Sequence, residues 1–215
     1  EYDIYYRMLN AGIRLPASTG SDWFISSANR VYAHTGGAFD YESWLEALRE
    51  GRTFITNGPA LSLTVQDRAP GQTIEAEPGE RLSTLVTWKS HYPVALVEVL
   101  FNGSVVASEY FHEGSRDGHL EADVEAPSEG WVAARLSSTA RDSFHQPIFA
   151  HTSPVYVRSA VESPEKKAAA GSFDDSIERS LEWVGTKGKF YTDKQRREVL
   201  DLFREGQQVY RAMLK

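Results

Sequence analysis

The residues with the clearest potential for chemistry form a short polar run at residues 18–22, Ser-Thr-Gly-Ser-Asp. This run follows residues 13–15, where the apolar Ile13 and Leu15 favour a short strand. Many α/β enzymes place metal ligands at the carboxyl ends of strands. Gly20 permits a turn, Ser21 can orient the carboxylate and Asp22 can bind a divalent metal. Asp22 is equally typical of a turn or a helix N-cap, so the spacing alone leaves both interpretations open.

Three further residues near this run have side chains suited to a site. His34 ends a predicted strand, so it is either a second metal ligand beside Asp22 or a core or edge histidine. Arg14 either binds an anionic substrate group or forms a structural ion pair. Asn57 either lines the substrate or serves only the turn at residues 57–59.

Histidines farther along the chain offer weaker candidates. Four residues with metal-binding side chains lie in one segment: His112, Glu113, Asp117 and His119. They would suit a metal loop, but the two glycines among them are more typical of a solvated hairpin tip. His145 and His151 flank a short apolar run, which indicates positions at the edge of a strand.

The composition excludes several classes of function. The chain has 215 residues, a net charge of −7 with both signs mixed, and no cysteine. There is no basic stripe, so nucleic acid and anionic membranes are poor partners. Without cysteine there are no disulfides, thiolate zinc sites or cysteine nucleophiles. No apolar run reaches 18 residues, so we predict no membrane span.

The segment that must position the first candidates, residues 1–59, has a mixed α/β pattern. A helix is predicted to end near Gly12, and a short strand covers residues 30–34. A second helix begins at Asp40 as N-cap and ends at Gly51. Its N-terminus has Phe39 and Trp44 at the positions of a hydrophobic staple, and Trp44, Leu45 and Leu48 form its apolar face. A strand follows at residues 53–56.

Residues 60–158 predict a β-sandwich domain. Asn102-Gly103 joins two apolar runs and is a strong hairpin signal, because both residue types tolerate positive φ. About 100 residues with seven or eight strands indicate an immunoglobulin-like antiparallel sandwich. The predicted strands are 61–65, 73–76, 82–88, 94–101, 104–111, 119–124, 131–136 and 155–157.

The last 57 residues predict a linker and a helical tail. Residues 159–171 are small and charged, which is typical of a linker. Residues 172–215 predict a helical hairpin, capped at Ser172 and Thr192 and interrupted at Gly185. Its apolar face either packs on the sandwich or forms a docking or dimer surface, so a homo-oligomer through this tail is one expectation. The expected fold is therefore mainly β, with a partial α/β segment before the sandwich.

Three segments near the start carry a specific combination of motifs. They are RLPASTGSDWF at 14–24, NRVY at 29–32 and YESWLEALREGRTFITNGP at 41–59. Together they resemble the late part of the CehA/McbA-type metallohydrolases of the PHP (polymerase and histidinol phosphatase) superfamily, which fold as distorted β/α barrels. The match covers about residues 5–65, and its most specific part is GRTFITNGP at 51–59. The following sandwich also fits proteins of this type.

The resemblance implies metal-dependent hydrolysis of a phosphoester or an amide or carbamate bond. A divalent ion, zinc, manganese or iron, would polarise the substrate and lower the pKa of a bound water. Asp22 would be a metal ligand, with His34 as a second candidate. Superfamily members often have Gly-Ser-Asp-x-His, but Phe24 occupies the histidine position here, and no His-x-His occurs among the six histidines.

One carboxylate cannot hold a catalytic metal, which in zinc enzymes has about three protein ligands. We therefore expect this chain to be the C-terminal portion of a hydrolase, inactive alone and without a tightly bound metal. Residues 1–59 would be the end of a barrel whose N-terminal part is the partner of this chain. The parent would be bacterial, with a secreted or periplasmic location favoured over a cytoplasmic one.

Two other functions stay open. The chain could be a non-catalytic sandwich that binds carbohydrate or protein within a multidomain secreted protein. Aromatic residues in or near the predicted strands would then stack on sugar rings: Trp88, Tyr92, Tyr110 and Trp131. The last alternative is a small intact enzyme that uses the loop histidines. A His-x-His upstream of Glu1 would favour the hydrolase, and further sandwich repeats would favour the binding module.

Overall fold

The structure, a computed structural model, describes residues 2–20, 27–37 and 39–215. The chain forms two compact units. The sandwich unit is Arg14–Glu162, and the helical unit combines Glu1–Ile13 with Ser163–Lys215. Among the described residues, no helix has both the length and the hydropathy needed to cross a bilayer.

The described elements are four helices and nine strands. The helices are α1 Tyr2–Asn10, α2 Tyr41–Glu50, α3 Pro164–Thr186 and α4 Asp193–Met213. The strands are β1 Arg30–Ala33, β2 Thr53–Thr56, β3 Ala60–Val65, β4 Thr73–Glu75, β5 Glu80–Phe101, β6 Ser104–Ala126, β7 Gly130–Arg141, β8 Pro147–Thr152 and β9 Val155–Arg158.

The strands of the sandwich unit are hydrogen-bonded in the order β1-β2-β8-β7-β5-β3. β6 pairs with β5, and β9 pairs with β7 and, in parallel, with β4. All other pairs are antiparallel. The predicted mainly-β, immunoglobulin-like antiparallel sandwich is therefore confirmed, with one parallel pair at its edge.

The long hairpin β5–β6 belongs to both layers of the sandwich. The first half of β5 pairs with β3, whereas residues 96–101 pair with β7. The register of the β5–β6 ladder shifts between Lys89 and Val94, where the two halves meet. β3 lies against β7 and β8 without hydrogen-bonding to either, as expected for strands in opposite layers. Two predicted strands thus merge into β5, and two into β6.

The core lies between these layers and is aliphatic. Leu63 of β3, Val86 and Val97 of β5, and Leu136 of β7 are almost fully buried within one apolar cluster. Burial alternates along β3 and the first half of β5, which is the pattern of strands with one face toward a core. The period-2 pattern that predicted the strands therefore also identifies the buried face.

The hairpin turn is at Asn102-Gly103, as predicted. Both residues have positive φ, 50° and 89°, as a two-residue type I′ turn requires. The side chain of Asn102 adds a second function, since its Oδ1 accepts a hydrogen bond from Trp131 N (3.0 Å) and its Nδ2 donates to Glu129 O (3.3 Å). A Cβ on Gly130 would overlap Asn102 Oδ1, so this position favours glycine.

The segment before the sandwich extends its sheet. β1 pairs with β2, and β2 pairs with β8, so residues 30–56 belong to the sandwich unit. The predicted boundary after residue 59 does not coincide with the division between the compact units. That residues 1–59 derive from a barrel stays a prediction.

Helix α2 has the predicted ends but a different buried face. Asp40 Oδ1 accepts from Ser43 N (2.8 Å), and Gly51 has φ 75°. The predicted staple is wrong, because Phe39 is 93% exposed. Trp44 is also partly exposed, and the fully buried residue of the helix is Ala47. The hydrogen-bonded ladder of β2, rather than a large apolar face of α2, joins this segment to the sheet.

The helical unit confirms the predicted helical pair but corrects its start. Ser163 caps α3 by accepting from Lys166 N (3.2 Å), and Pro164 follows in the first turn. Residues 164–171, predicted as linker, are therefore helical, and Gly185 lies inside α3. Ala169 and Ala170 of this segment are buried. Alanine suits both requirements here, because it is a strong helix former and is small enough for close packing.

α3 and α4 pack antiparallel within the helical unit. Phe173 stacks on Tyr210 with ring centroids 4.9 Å apart, and Gln207 Nε2 donates to Glu178 (2.7 Å). Thr192 caps α4 as predicted, accepting from Gln195 N (3.2 Å).

Two further expectations for the sandwich were wrong. β8 (Pro147–Thr152) was not among the predicted strands, because its proline and histidine weaken the strand pattern. Residues 112–119 are not a hairpin tip but part of β6, in which Ser115 pairs with Val94 and His119 with Thr87 of β5. Gly114 has φ 75° and lies against Pro93 where the hairpin bends, and a Cβ on Gly118 would overlap Trp88, which explains the two glycines in that segment.

The Asn102 turn generates a stability prediction. Replacing Asn102 with Ala loses two side-chain hydrogen bonds and leaves a Cβ at positive φ without the tolerance that asparagine has for this conformation, so we expect a loss of about 2–3 kcal/mol in unfolding free energy. Asn102→Gly loses the same hydrogen bonds without the steric strain and should cost about 1 kcal/mol less. Urea denaturation measures both variants. Equal losses would show that backbone strain plays no part in this turn.

Candidate functional site

The chain before Asp22 is held against the sandwich by a buried polar cluster, which we call the Thr53–Ser153 cluster. Its members are the side chains of Thr53 and Ser153 and the backbone of Ala17, all at most 3% exposed. Thr53 lies at the start of β2 and Ser153 follows β8. The first residue of β2 and the residue after β8 therefore both contact segment 14–20 at Ala17.

Every donor in the Thr53–Ser153 cluster has an acceptor. Thr53 Oγ1 donates to Ala17 O (3.1 Å), and Ala17 N donates to Ser153 Oγ (2.8 Å). The two hydroxyls are 2.7 Å apart. Because the single proton of Thr53 is used on Ala17, Ser153 must donate in the hydroxyl pair. The arrangement fixes the backbone of Ala17 through both its N–H and its C=O.

Arg14 is held at the other end of the same segment. Its Nη1 donates to Thr73 Oγ1 (3.0 Å) and its Nη2 donates to Gly71 O (2.8 Å). The guanidinium lies 4.1 Å from the ring centroid of Tyr156, within the range of a cation–π contact. The predicted anion-binding side chain is thus rigidly placed, on the side of the segment that faces β4 and β9.

The position of the predicted metal ligand Asp22 lies outside the described residues, as does that of Phe24. The described segment ends at the exposed Gly20, two residues before it. The expectation that Asp22 lies at a strand end stays a prediction.

His34 is exposed and follows β1. Its backbone N donates to Arg52 O (2.8 Å), and its carbonyl accepts from Arg52 Nε (3.1 Å). Its imidazole makes no hydrogen bond to another described residue, so its role as a metal ligand stays a prediction.

Asn57 belongs to a second buried network. Its Nδ2 donates to Asp142 Oδ2 (3.1 Å) and Pro147 O (2.8 Å), and its Oδ1 accepts from Phe149 N (2.8 Å). At 4% exposure this amide ties the end of β2 to the loop before β8. Asn57 therefore has a structural role, and its contact with a substrate stays a prediction.

Asp142 is the charged member of this network. Burial acts to raise the pKa of its carboxyl, but hydrogen bonds from the backbone N–H groups of Gln146 and Phe144 and from Asn57 outweigh burial and hold the pKa below its usual value. Asp142 is therefore ionised at neutral pH. Because this carboxylate already accepts three hydrogen bonds, its role is to stabilise the loop before β8 rather than to take part in catalysis.

His151 of β8 is fully buried, contrary to the expected position at a strand edge. Its Nδ1 lies 2.7 Å from Thr152 O. Burial lowers the pKa of His151 to about 4, against the opposing effect of the Thr152 carbonyl, and the positive charge of Arg135 adds to the lowering. The imidazole is neutral at pH 7, and Nδ1 carries the proton that Thr152 O accepts.

Metal-binding side chains do not converge in the part of the chain that the structure describes. No group of three histidines, aspartates or glutamates there could hold an ion. The cluster around His112 and His119 is spread along β6, where Tyr110 and His112 make an edge-to-face contact with ring centroids 4.9 Å apart. The alternative of a small enzyme built on these histidines has no support in this geometry.

The aromatic residues considered for sugar binding mostly belong to the interior. Trp88 is 5% exposed and Trp131 is 1% exposed. Tyr110 is exposed, but Tyr92 packs against Gly58. A flat row of exposed rings, which stacking on a polysaccharide requires, does not form among these four residues.

Comparison with known proteins gives no family for this chain. No family model and no curated protein matches it. Among solved structures, it is similar to fibronectin(III)-like modules of Clostridium thermocellum CbhA, with 18% identity, a TM-score of 0.29, and coverage of 45% of this chain and 93% of that one. It is also similar to a lytic polysaccharide monooxygenase of Jonesia denitrificans, with 14% identity, a TM-score of 0.29, and coverage of 70% and 91%. At these scores neither alignment identifies a family or an activity.

The buried His151 generates a pH prediction. Its folded pKa of about 4 is below the unfolded value of about 6.5, so the unfolded state binds more protons between these values. The contribution of His151 to stability is fully present above pH 6.5 and is lost as the pH falls toward 4, by up to about 1.4 kcal/mol per pH unit. His151→Gln should remove this slope from urea denaturation measured between pH 7 and 4.5. The exposed control His34→Gln should keep it, and an unchanged slope in His151→Gln would contradict the assignment.

Proposed function

We propose that this chain is the C-terminal accessory portion of a metal-dependent hydrolase of the CehA/McbA type. The sandwich unit would hold the segment that carries Asp22 at the edge of a catalytic barrel formed by residues outside this chain. The observation that carries the proposal is the Thr53–Ser153 cluster, because it anchors the backbone of Ala17, five residues before Asp22.

The anchoring suits a shared metal site. Ligands must be held to within about half an ångström to maintain a productive geometry. Here β2 and β8, two strands of one sheet, hold both backbone groups of Ala17. Asp22 would supply one carboxylate, and the upstream barrel the remaining ligands. The ion would polarise the scissile bond and lower the pKa of a bound water.

The residues that resemble the hydrolases also support the proposal. Thr53 and Asn57 both belong to the run GRTFITNGP, and both are buried and hydrogen-bonded. Gly51 of the same run closes α2 in the left-handed conformation. The most specific part of the resemblance thus contains Thr53, which holds segment 14–20, and two residues that fix the ends of the neighbouring elements α2 and β2.

A second candidate is a non-catalytic binding module, and one observation favours protein over carbohydrate as its ligand. Among the described strands β6 is hydrogen-bonded to β5 alone, so it is an edge strand there, and it exposes Val105, Val106 and Tyr110. Edge strands of this kind can pair with a strand of another protein. The two candidates differ in what the coding sequence upstream of Glu1 encodes, since only the hydrolase requires a His-x-His there.

The activity prediction follows from the ligand count. The 215-residue chain alone should show no manganese- or zinc-stimulated turnover of phosphodiester or carbamate substrates. The same chain joined to its upstream residues should be active, and Asp22→Ala there should reduce kcat by at least about 100-fold. Asp123→Ala, on the exposed face of β6, is the matched control and should keep full activity. Turnover by the 215-residue chain that Asp22→Ala abolishes would refute the accessory role.

A further inference from the structure

An open cavity of about 380 Å³ lies in the sandwich unit beside Arg14. It is formed by the C-terminal end of α2, segment 14–16 and the turn before β4. The polar side chains that line it are Arg14, Arg49, Glu50, Arg52, Gln72 and Tyr156. Three arginines from two separate segments therefore line one space.

The cavity wall is preformed where α2 meets the turn before β4. Gly71 has φ 89°, and its N–H donates to Pro154 O (2.8 Å). A Cβ at this position would overlap the carbonyl oxygen of Glu50. Glycine thus lets the turn, to which Arg14 donates a hydrogen bond, lie directly on the last residue of α2.

The three arginines are bound to different extents. Arg14 is held by Thr73, Gly71 and the ring of Tyr156, and two of its five N–H donors are used in those hydrogen bonds. Arg52 pairs with Glu50 and donates through Nε to the carbonyl oxygen of His34. Arg49 is exposed and makes no hydrogen bond or ion pair with another described residue. Arg49 therefore retains its donors beside a space that Arg14 borders from another segment.

The charge of the cavity is opposite to that of the chain. Three arginines and one glutamate give a local charge of +2, whereas the whole chain carries −7. Cations near the end of α2 also interact favourably with its dipole. That interaction accounts for Arg49 and Arg52, but not for Arg14, which comes from another segment and is oriented by its own set of contacts.

We propose that this cavity binds a phosphate group, with Arg14 and Arg49 donating to its oxygens and Arg52 completing the positive wall. Guanidinium donors match the geometry of phosphate oxygens, and a local charge of +2 complements a dianion better than a carboxylate. The phosphate is either the free ion or the head of a phosphomonoester. The cavity of about 380 Å³ has room for a substituent beyond the phosphate. The proposal does not rest on the hydrolase function, because it is argued from the cavity lining alone; it gives the anion-binding role predicted for Arg14 a specific place.

The test is a calorimetric or NMR titration of the 215-residue chain with inorganic phosphate, phenyl phosphate and acetate at constant ionic strength and pH 7.5. We expect saturable one-site binding of phosphate, at least about tenfold tighter than acetate. Arg49→Gln should weaken phosphate binding by about five- to tenfold without changing the melting temperature, because Arg49 makes no described contact. Glu50→Gln should strengthen binding, because it removes the negative charge among the described lining residues and frees Arg52 from its ion pair.

The matched control is Arg81→Gln, an exposed arginine at the start of β5 that should leave binding unchanged. Tighter binding of phenyl phosphate than of phosphate identifies a phosphomonoester as the ligand, and equal or weaker binding identifies the free ion. Either result supports the site. Acetate binding as tight as phosphate, no effect of Arg49→Gln beyond that of Arg81→Gln, or weaker binding in Glu50→Gln would overturn it.

Discussion

The anchoring of Ala17 by the hydroxyls of Thr53 and Ser153 is the constraint on which the arrangement before Asp22 depends. Buried polar groups cost free energy unless they are hydrogen-bonded. In this cluster the hydrogen bonds can run in only one direction: Ser153 donates to Thr53, and Thr53 donates to Ala17 O. Moving the segment by one residue would leave several of these groups buried without partners. The segment therefore has a defined register against the sheet although it forms no strand.

The sandwich makes this anchoring possible because its sheet is built across long distances in the chain. β2 pairs with β8, so Thr53 comes within hydrogen-bonding distance of Ser153, 100 residues away. The network of Asn57 and Asp142 fixes the other end of β2 in the same way. A strand that is tied at both ends provides a rigid edge, and rigid elements hold functional segments more precisely than loops do.

Features with a local cause could be predicted from the sequence. The Asn102-Gly103 turn, the Asp40 cap and the Gly51 end of α2 each depend on the φ preference or hydrogen bonding of one or two neighbouring residues. The start of α3 also had a local signal, Ser163-Pro164, but the composition of residues 159–171 was interpreted as a linker. Here the helix propensity of the alanines, together with the Ser163 cap, favours a helix over a linker.

Features that depend on tertiary pairing could not be predicted in this way. The burial of His151 follows from the pairing of β8 between β2 and β7, which no nearby residue reveals. The Thr53–Ser153 cluster unites three residues spread over 136 positions, and threonine and serine are too common to mark it. The cavity around Arg14 could not be predicted either. Its arginines can be recognised individually in the sequence, but only the fold brings them together.

The most direct test of the central claim is amide hydrogen exchange at Ala17 in the 215-residue chain. The account predicts that the Ala17 amide is protected to a degree comparable with amides of β7, although it lies outside any strand. Ser153→Ala should speed its exchange by at least about tenfold, since the acceptor of the Ala17 N–H is removed. Ser62→Ala, an exposed serine of β3, is the control and should leave Ala17 unchanged. Unprotected exchange of Ala17 in the unmodified chain would contradict the account.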